Sequence, residues 1–267
     1  MNDPGVFTNV AVFLFGCCMG SFFNVAIHRL PCEESLVRPG SRCPSCGHAI
    51  AFYDNVPILS WLWLRGRCRH CKAPISVRYP VVEGLTGLVT LALFLSQGWG
   101  VPFVVLLVFV YALIVIAFID LDTYLIPDVL SLTGIAVGFL GSLVSPHLSW
   151  SDSLIGILFG GGILYLVAWA YRVIRHQDGM GGGDIKLLAM IGAFIGWTGV
   201  VFTLFAASVA GALAGVAVML KTRQGMEARV PFGPFLALGA LGYVLGGEAL
   251  VGWYWGAFLS GSFPNPG

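Results

Sequence analysis

Long apolar runs joined by short polar stretches make up most of this chain. Eight runs read as membrane spans, at 6–27, 80–97, 101–119, 126–144, 153–171, 185–197, 200–220 and 232–259. A run of about 18 or more uncharged residues is long enough to cross the hydrocarbon core of a bilayer. The sixth run is short and can merge with the seventh. The pattern predicts an all-α polytopic membrane protein with about eight transmembrane helices. A small polar domain lies between the first and second. The expected organisation is a first transmembrane helix at 1–27, a polar domain at 28–79 and a helical membrane bundle at 80–267.

Composition agrees with the membrane reading. The chain is 57% hydrophobic and 10% charged, which excludes a soluble domain of 267 residues. Among its 36 glycines, several pairs stand four residues apart: Gly16/Gly20, Gly156/Gly160, Gly192/Gly196 and Gly211/Gly215. Small residues at that spacing let helices approach closely in lipid.

The charges set an orientation. With eight spans and an outside N-terminus, all 14 Lys and Arg residues fall on one side, the cytoplasmic side by the positive-inside rule. Both termini are then expected outside. The first run has no basic n-region and no small-residue cleavage site after it, so it reads as a retained anchor and not a signal peptide.

Segment 28–79 holds Cys43-Pro44-Ser45-Cys46 and Cys68-Arg69-His70-Cys71. Two Cys-x-x-Cys knuckles at this separation are a zinc-ribbon layout, with four thiolates closing a structural tetrahedral site. Two disulfides or four free thiols would fit the same residues, and the disulfides are disfavoured because the charge bias places the segment in the reducing cytoplasm. Cys17 and Cys18 lie in an apolar run and read as packing residues, and Cys32 has no paired partner. His48 and His70 flank the knuckles without being needed as ligands.

Acids at the edges of apolar runs are the remaining chemistry. An ionisable group at the lipid boundary is a functional candidate when a partner can be named. Asp120 ends one run and Asp184 follows Gly181-Gly182-Gly183, so each supplies the other with a partner. Two acids sharing a proton can activate water and polarise a carbonyl. Asp184 reads equally well as a helix cap beside a glycine loop. Asp120 and Asp122 point to different sides of a helix, and Asp120 is the better candidate for the interior. Pro127 starts the next helix and puts Asp128 in its first turn, facing the helix dipole. Lys186 reads as a snorkelling interfacial lysine or a charge tuning the site. Glu83 reads as an interfacial acid reaching for headgroups, or as a substrate- or cofactor-binding residue.

Taken together, these features resemble the type IV prepilin peptidases, bacterial membrane aspartyl proteases of the Gly-x-Gly-Asp type. The likeness runs through Gly20-Ser21-Phe22-Phe23-Asn24-Val25, His28-Arg29-Leu30-Pro31, both cysteine pairs, Asn55-Val56-Pro57 and Arg78-Tyr79-Pro80-Val81-Val82-Glu83. It resumes at Ile119-Asp120-Leu121-Asp122, Leu125-Ile126-Pro127-Asp128, Gly179-Met180-Gly181-Gly182-Gly183-Asp184-Ile185-Lys186 and Pro231-Phe232-Gly233-Pro234.

The resemblance implies cleavage of prepilin and pseudopilin leaders at the cytoplasmic face of the bacterial inner membrane, with Asp120 and Asp184 as the catalytic acids. Gly181, Gly183, Lys186 and Asp128 would support the site. It also implies methylation of the new N-terminus with S-adenosylmethionine, tied to the cysteine-bearing domain. Gly66 matches a glycine linked to methylation in the family. Glu83, Asn24 and His28 are further candidates for methyl transfer or substrate binding.

The polar segment carries an excess of positive charge, so it is not expected to attract a basic leader. Recognition is expected to rest on the substrate's hydrophobic helix and on the lipid bilayer. No nucleic-acid partner is expected. A proton-coupled transporter would place acids near the midplane and show inverted repeats. A non-catalytic assembly factor would tolerate loss of either acid.

Overall fold

The computed structural model describes residues 5–146, 148–177, 181–222 and 230–252. The described residues are helical apart from turns and two isolated bridges. They form two compact units, Met1–Phe103 and Val104–Gly267.

In the first unit, α1 (Val6–Arg29) and α3 (Arg78–Gln97) pack side by side, with a short helix α2 (Leu59–Trp63) in the segment between them. The α1–α3 seam depends on missing side chains. A Cβ on Gly16 would lie 2.6 Å from the Thr90 hydroxyl, and one on Gly20 would lie 2.7 Å from the Glu83 Cα. The threonines buried in the seam satisfy themselves along the helix: Thr86 donates to the Val82 carbonyl and Thr90 to that of Thr86, both at 2.7 Å.

The second unit is a helical bundle. Its elements are most of α4 (Val101–Thr123), then α5 (Asp128–Ser142), α6 (Trp150–Arg175), α7 (Gly182–Thr222) and α8 (Gly233–Gly242). Phe109, Leu113, Ile116 and Ile119 of α4 are buried, and Phe109 stacks on Phe194 of α7 with ring centroids 4.6 Å apart. Helices α6 and α7 meet backbone to backbone at Gly156 and Gly192, and a Cβ on Gly160 would lie 2.5 Å from the Leu188 carbonyl oxygen. The fully buried Ser153 donates to the Ala193 carbonyl at 2.8 Å and locks the same seam. Three of the four glycine pairs therefore sit in close helix contacts. The fourth does not: a Cβ on Gly215 would meet nothing within 4 Å among the described residues.

Among the described residues, six helices are long and apolar enough to cross a membrane, including α7 as one long element. Two features separate this number from the eight runs. Helix α5 has 15 residues, or about 22 Å at 1.5 Å per residue, and falls short of a full span. The sixth and seventh runs join in α7, whose 41 residues are interrupted at Gly196. Gly196 has φ 68 and ψ −178, which no helix accommodates, so the element is two helices meeting at one glycine. The eighth run continues beyond the described residues.

Candidate active site and metal centre

Asp120 is in the last turn of α4 and only 5% exposed. The helix ends just after it, with Tyr124 at φ 55 and its N–H on the Asp120 carbonyl at 2.9 Å. The chain then runs through Ile126 to Pro127, the N-cap of α5, which leaves Asp128 in that helix's first turn. The side chain of Asp120 faces a third element. Its Oδ2 accepts the Gly233 N–H at 3.0 Å, at the start of α8. A helix N-terminus presents unpaired N–H groups and the positive end of its dipole, so a carboxylate is well placed there.

Asp184 is in the first turn of α7, which begins at Gly182. The glycine stretch is therefore already helical at Gly182 and Gly183 and is not the loop its composition suggested. Each glycine meets different surroundings. A Cβ on Gly183 would lie 2.9 Å from the Cβ of Ile126, so a side chain there would push α7 off the α4–α5 joint. Around Gly181 and Gly182 an added Cβ would meet nothing closer than 4.0 Å among the described residues. Gly179 and Met180, matched in the same motif, lie outside the described residues.

Ile126 joins the two acids. It touches the Cβ position of Gly183 next to Asp184, and its Cδ1 lies 3.4 Å from the Cβ position of Gly233, the residue that holds Asp120. The carboxylates are close enough for the charge of Asp120 to act on Asp184. Asp122 is exposed, as its offset from Asp120 requires.

Lys186 and Asp128 pair with each other. Lys186 Nζ donates to both Asp128 oxygens at 2.7 and 2.8 Å, with the side chains 37% and 58% exposed. The pair ties the first turns of α5 and α7 together. Lys186 is therefore a strap between helices and is not a lone interfacial cation.

The metal centre belongs to the first unit. The sulfurs of Cys43, Cys46, Cys68 and Cys71 all lie within 4.8 Å of one another, and Cys43 and Cys71 are 3.8 Å apart. A tetrahedron with zinc–sulfur bonds of about 2.3 Å has edges of about 3.8 Å, so the four thiols fit zinc.

The two knuckles repeat one design. Cys43 donates its N–H to His48 O at 2.9 Å, as Cys68 does to Ala73 O at the same distance. Gly47 and Lys72 close the two turns at φ 68 and φ 59, and bridges Arg42–Ala49 and Arg67–Pro74 flank them. Backbone N–H groups of Cys46 and Ser45 hold the Cys43 thiol down to about 6. Cys46 receives a backbone hydrogen bond from His48 that works the same way, but desolvation and the neighbouring Cys43 and Cys71 sulfurs carry it up to about 11. A divalent cation would hold all four as thiolates. His48 and His70 face each other beside the site, with ring centroids 3.5 Å apart.

Gly66 opens the second knuckle at φ 65. A Cβ there would lie 2.9 Å from the Trp61 ring, whose Nε1 donates to the Ile75 carbonyl at 3.1 Å. From within the knuckle, Arg69 forms a two-pronged bond to Asp54, at 2.7 Å from Nε and 2.5 Å from Nη2.

Glu83 does not reach for headgroups. It is 7% exposed, its Oε2 accepts the Ile58 N–H at 2.7 Å, and it hydrogen-bonds Ser21 of α1. Asn24 ties α1 to the start of α3 by donating to the Tyr79 carbonyl at 3.1 Å. His28 stays exposed at the end of α1. Cys17 is buried at the α1–α3 seam, while Cys18 and Cys32 are exposed.

Sequence reasoning missed the Gly233 donor and the Ile126 wedge. Pro234 just inside a helix start was a signal for the first, although its partner was not legible.

Comparison with known proteins places this geometry among relatives. Residues 14–97 match the Bacterial Peptidase A24 N-terminal domain, and residues 107–216 match the Type IV leader peptidase family. The prepilin leader peptidase/N-methyltransferase of Aeromonas hydrophila is 40% identical, covering 93% of this chain and 94% of that protein. The protein of the same name from Pseudomonas putida is 35% identical, with 93% of each chain covered. That from Myxococcus xanthus is 43% identical over 82% of this chain and 66% of its own length. No solved structure matches the chain.

Proposed function

The chain belongs to the type IV leader peptidase family, and we propose that Asp120 and Asp184 are the acids with which it cleaves prepilins. It is a multi-pass inner-membrane enzyme that removes a prepilin leader and methylates the new N-terminus. One observation carries the assignment of the acids. The end of α4, the first turn of α7 and the N-terminus of α8 converge, with Ile126 between them, on these two carboxylates.

Two neighbouring carboxylates share one proton more readily than they ionise together. The ionised member takes a proton from water, and the protonated member donates to the oxygen of the scissile carbonyl. Gly233 pins one oxygen of Asp120, which makes it the fixed half of the pair. The open space over Gly181 and Gly182 receives the substrate backbone, while the Lys186–Asp128 strap holds α5 against α7. The substrates are prepilins and pseudopilins, entering by their hydrophobic helix from the lipid. Both the acid pair and the four-cysteine centre face the cytoplasm, with both termini outside.

Zinc supplies a closed structural cross-link between the knuckles through Cys43, Cys46, Cys68 and Cys71. S-adenosylmethionine supplies an electrophilic methyl group when bound to the first unit.

The test uses the full chain in lipid nanodiscs with a purified prepilin. Asp120→Asn and Asp184→Asn are each expected to lower cleavage by about 10²-fold or more. Near-normal cleavage by either variant would overturn the assignment.

A further inference from the structure

Helices α1 and α3 are antiparallel, because their contacts run in opposite order along the two helices. Gly16 meets Thr90, Gly20 meets Glu83, and Asn24 donates to the Tyr79 carbonyl. The segment between them therefore leaves the membrane and re-enters it at one face. One bond fixes the height of part of this segment. Ile58 donates its N–H to Glu83 Oε2 at 2.7 Å, and Glu83 lies in the second turn of α3. Helix α2 starts at the next residue, Leu59, so it is held at the membrane end of the α1–α3 pair.

Helix α2 leaves one face uncovered. Leu59, Leu62 and Trp63 stand at i, i+3 and i+4 and are 63%, 58% and 83% exposed. Trp61, by contrast, spends its Nε1 on the Ile75 carbonyl. Where the helix ends, an open cavity of about 530 Å³ is lined by Trp63, four basic side chains and Cys68. Of the four, Arg69 is taken up by Asp54. Arg65, Arg67 and Lys72 are exposed and have no carboxylate within ion-pair distance among the described residues. Segment 28–79 holds eight Lys and Arg against three acids, an excess that a zinc tetrathiolate of about −2 does not cancel.

We propose that this face docks on the bilayer surface. Leu59, Leu62 and Trp63 enter the interfacial layer, and Arg65, Arg67 and Lys72 receive the phosphodiesters of anionic phospholipids. Tryptophan suits that depth, with an apolar ring for the acyl side and an N–H for the headgroups. Each Lys or Arg beside an anionic surface multiplies the docked-to-free ratio by about fivefold. Other occupants fit less well. A second copy meeting the same face by two-fold symmetry would set cations against cations. Free phosphate would leave all three apolar side chains in water.

The test isolates Trp63. The full chain and its Trp63→Phe variant are placed in nanodiscs of phosphatidylcholine with about 30% phosphatidylglycerol, brominated on the acyl chains near the headgroup. Bromine quenches a tryptophan that touches it, and the difference between the two emission spectra belongs to Trp63. That difference should fall by about half or more relative to unbrominated discs. The quenching should weaken by about twofold or more without phosphatidylglycerol, or in about 0.5 M salt. Arg65→Gln/Arg67→Gln/Lys72→Gln should lower the docked-to-free ratio by about 10²-fold, three steps of about fivefold, and lose the quenching likewise.

Zinc content reports whether the triple variant is folded, and the lipid and salt comparisons on the wild type need no variant at those positions. Unquenched Trp63 emission in the anionic brominated discs would show a solvated face and overturn the proposal. Quenching indifferent to phosphatidylglycerol, salt and the three cations would leave the basic cavity without a lipid and overturn it too. Trp63 shielded from acrylamide yet untouched by bromine, only in discs holding two copies, would give the face to a second copy instead.

Discussion

Asp120 and Gly233 lie 113 positions apart, yet the Gly233 N–H donates to Asp120 Oδ2 at 3.0 Å. A Cβ at 233 would lie 2.6 Å from that oxygen, closer than a carbon–oxygen contact allows. Gly233→Ala must therefore move the carboxylate or the start of α8. A displacement of about 1 Å at a reacting group can cost about 10² in rate. The expected outcome is a fall in kcat for prepilin cleavage of that order, with KM and the melting temperature little changed. Unaltered kcat would mean that the contact does not position Asp120.

The Lys186–Asp128 pair is well formed but half exposed, and exposed ion pairs contribute about 0–1 kcal/mol. Lys186→Met, Asp128→Asn and the double variant should give a coupling energy within that range, measured by thermal unfolding in nanodiscs. Cleavage should stay within about threefold of the wild type. A displaced pH–rate profile for Lys186→Met would show instead that the lysine acts on the acid pair.

Gly66 combines a left-handed backbone with an aromatic ring over its α-carbon. Alanine there faces about 1–2 kcal/mol of backbone strain and also displaces Trp61. Gly66→Ala should release zinc to a chelator faster than the wild type and lose methyl transfer. Cleavage should fall much less, because the acid pair and its supporting contacts lie in the second unit. Equal loss of both activities would tie the metal centre to proteolysis.

Arg69 holds the Asp54 carboxyl below the usual carboxylate range. A depressed folded value stabilises the folded state above the unfolded value of about 3.9, and the benefit fades as pH falls through the lower folded value. Asp54→Asn should speed amide exchange across 52–72 by the same factor at pH 7 and pH 5. A gap that narrows between those two values would count against the clamp.

Several features were legible because they depend on neighbours in sequence. Helix existence followed from the apolar runs, and the exposure of Asp122 followed from its offset from Asp120. Asp128 in a first turn followed from Pro127. The knuckles were legible because ligand spacing is a local property. The break in α7 was not, since Gly196 resembles any other glycine in an apolar run. The burial of Glu83 was not legible either, because its two partners, Ser21 and Ile58, come from different parts of the chain.

The sequence by itself determined the membrane class and the two cysteine pairs, and it singled out Asp120 and Asp184 as candidate acids. The first rests on composition, the second on spacing within a few residues, and the third on the edges of apolar runs and on the likeness to a family. Only the tertiary structure decided how the acids are held: Gly233 against Asp120, Ile126 wedged beside Gly183, and Lys186 strapped to Asp128. Those contacts join α4, α5, α7 and α8, and helix packing, which no local pattern encodes, brings them together.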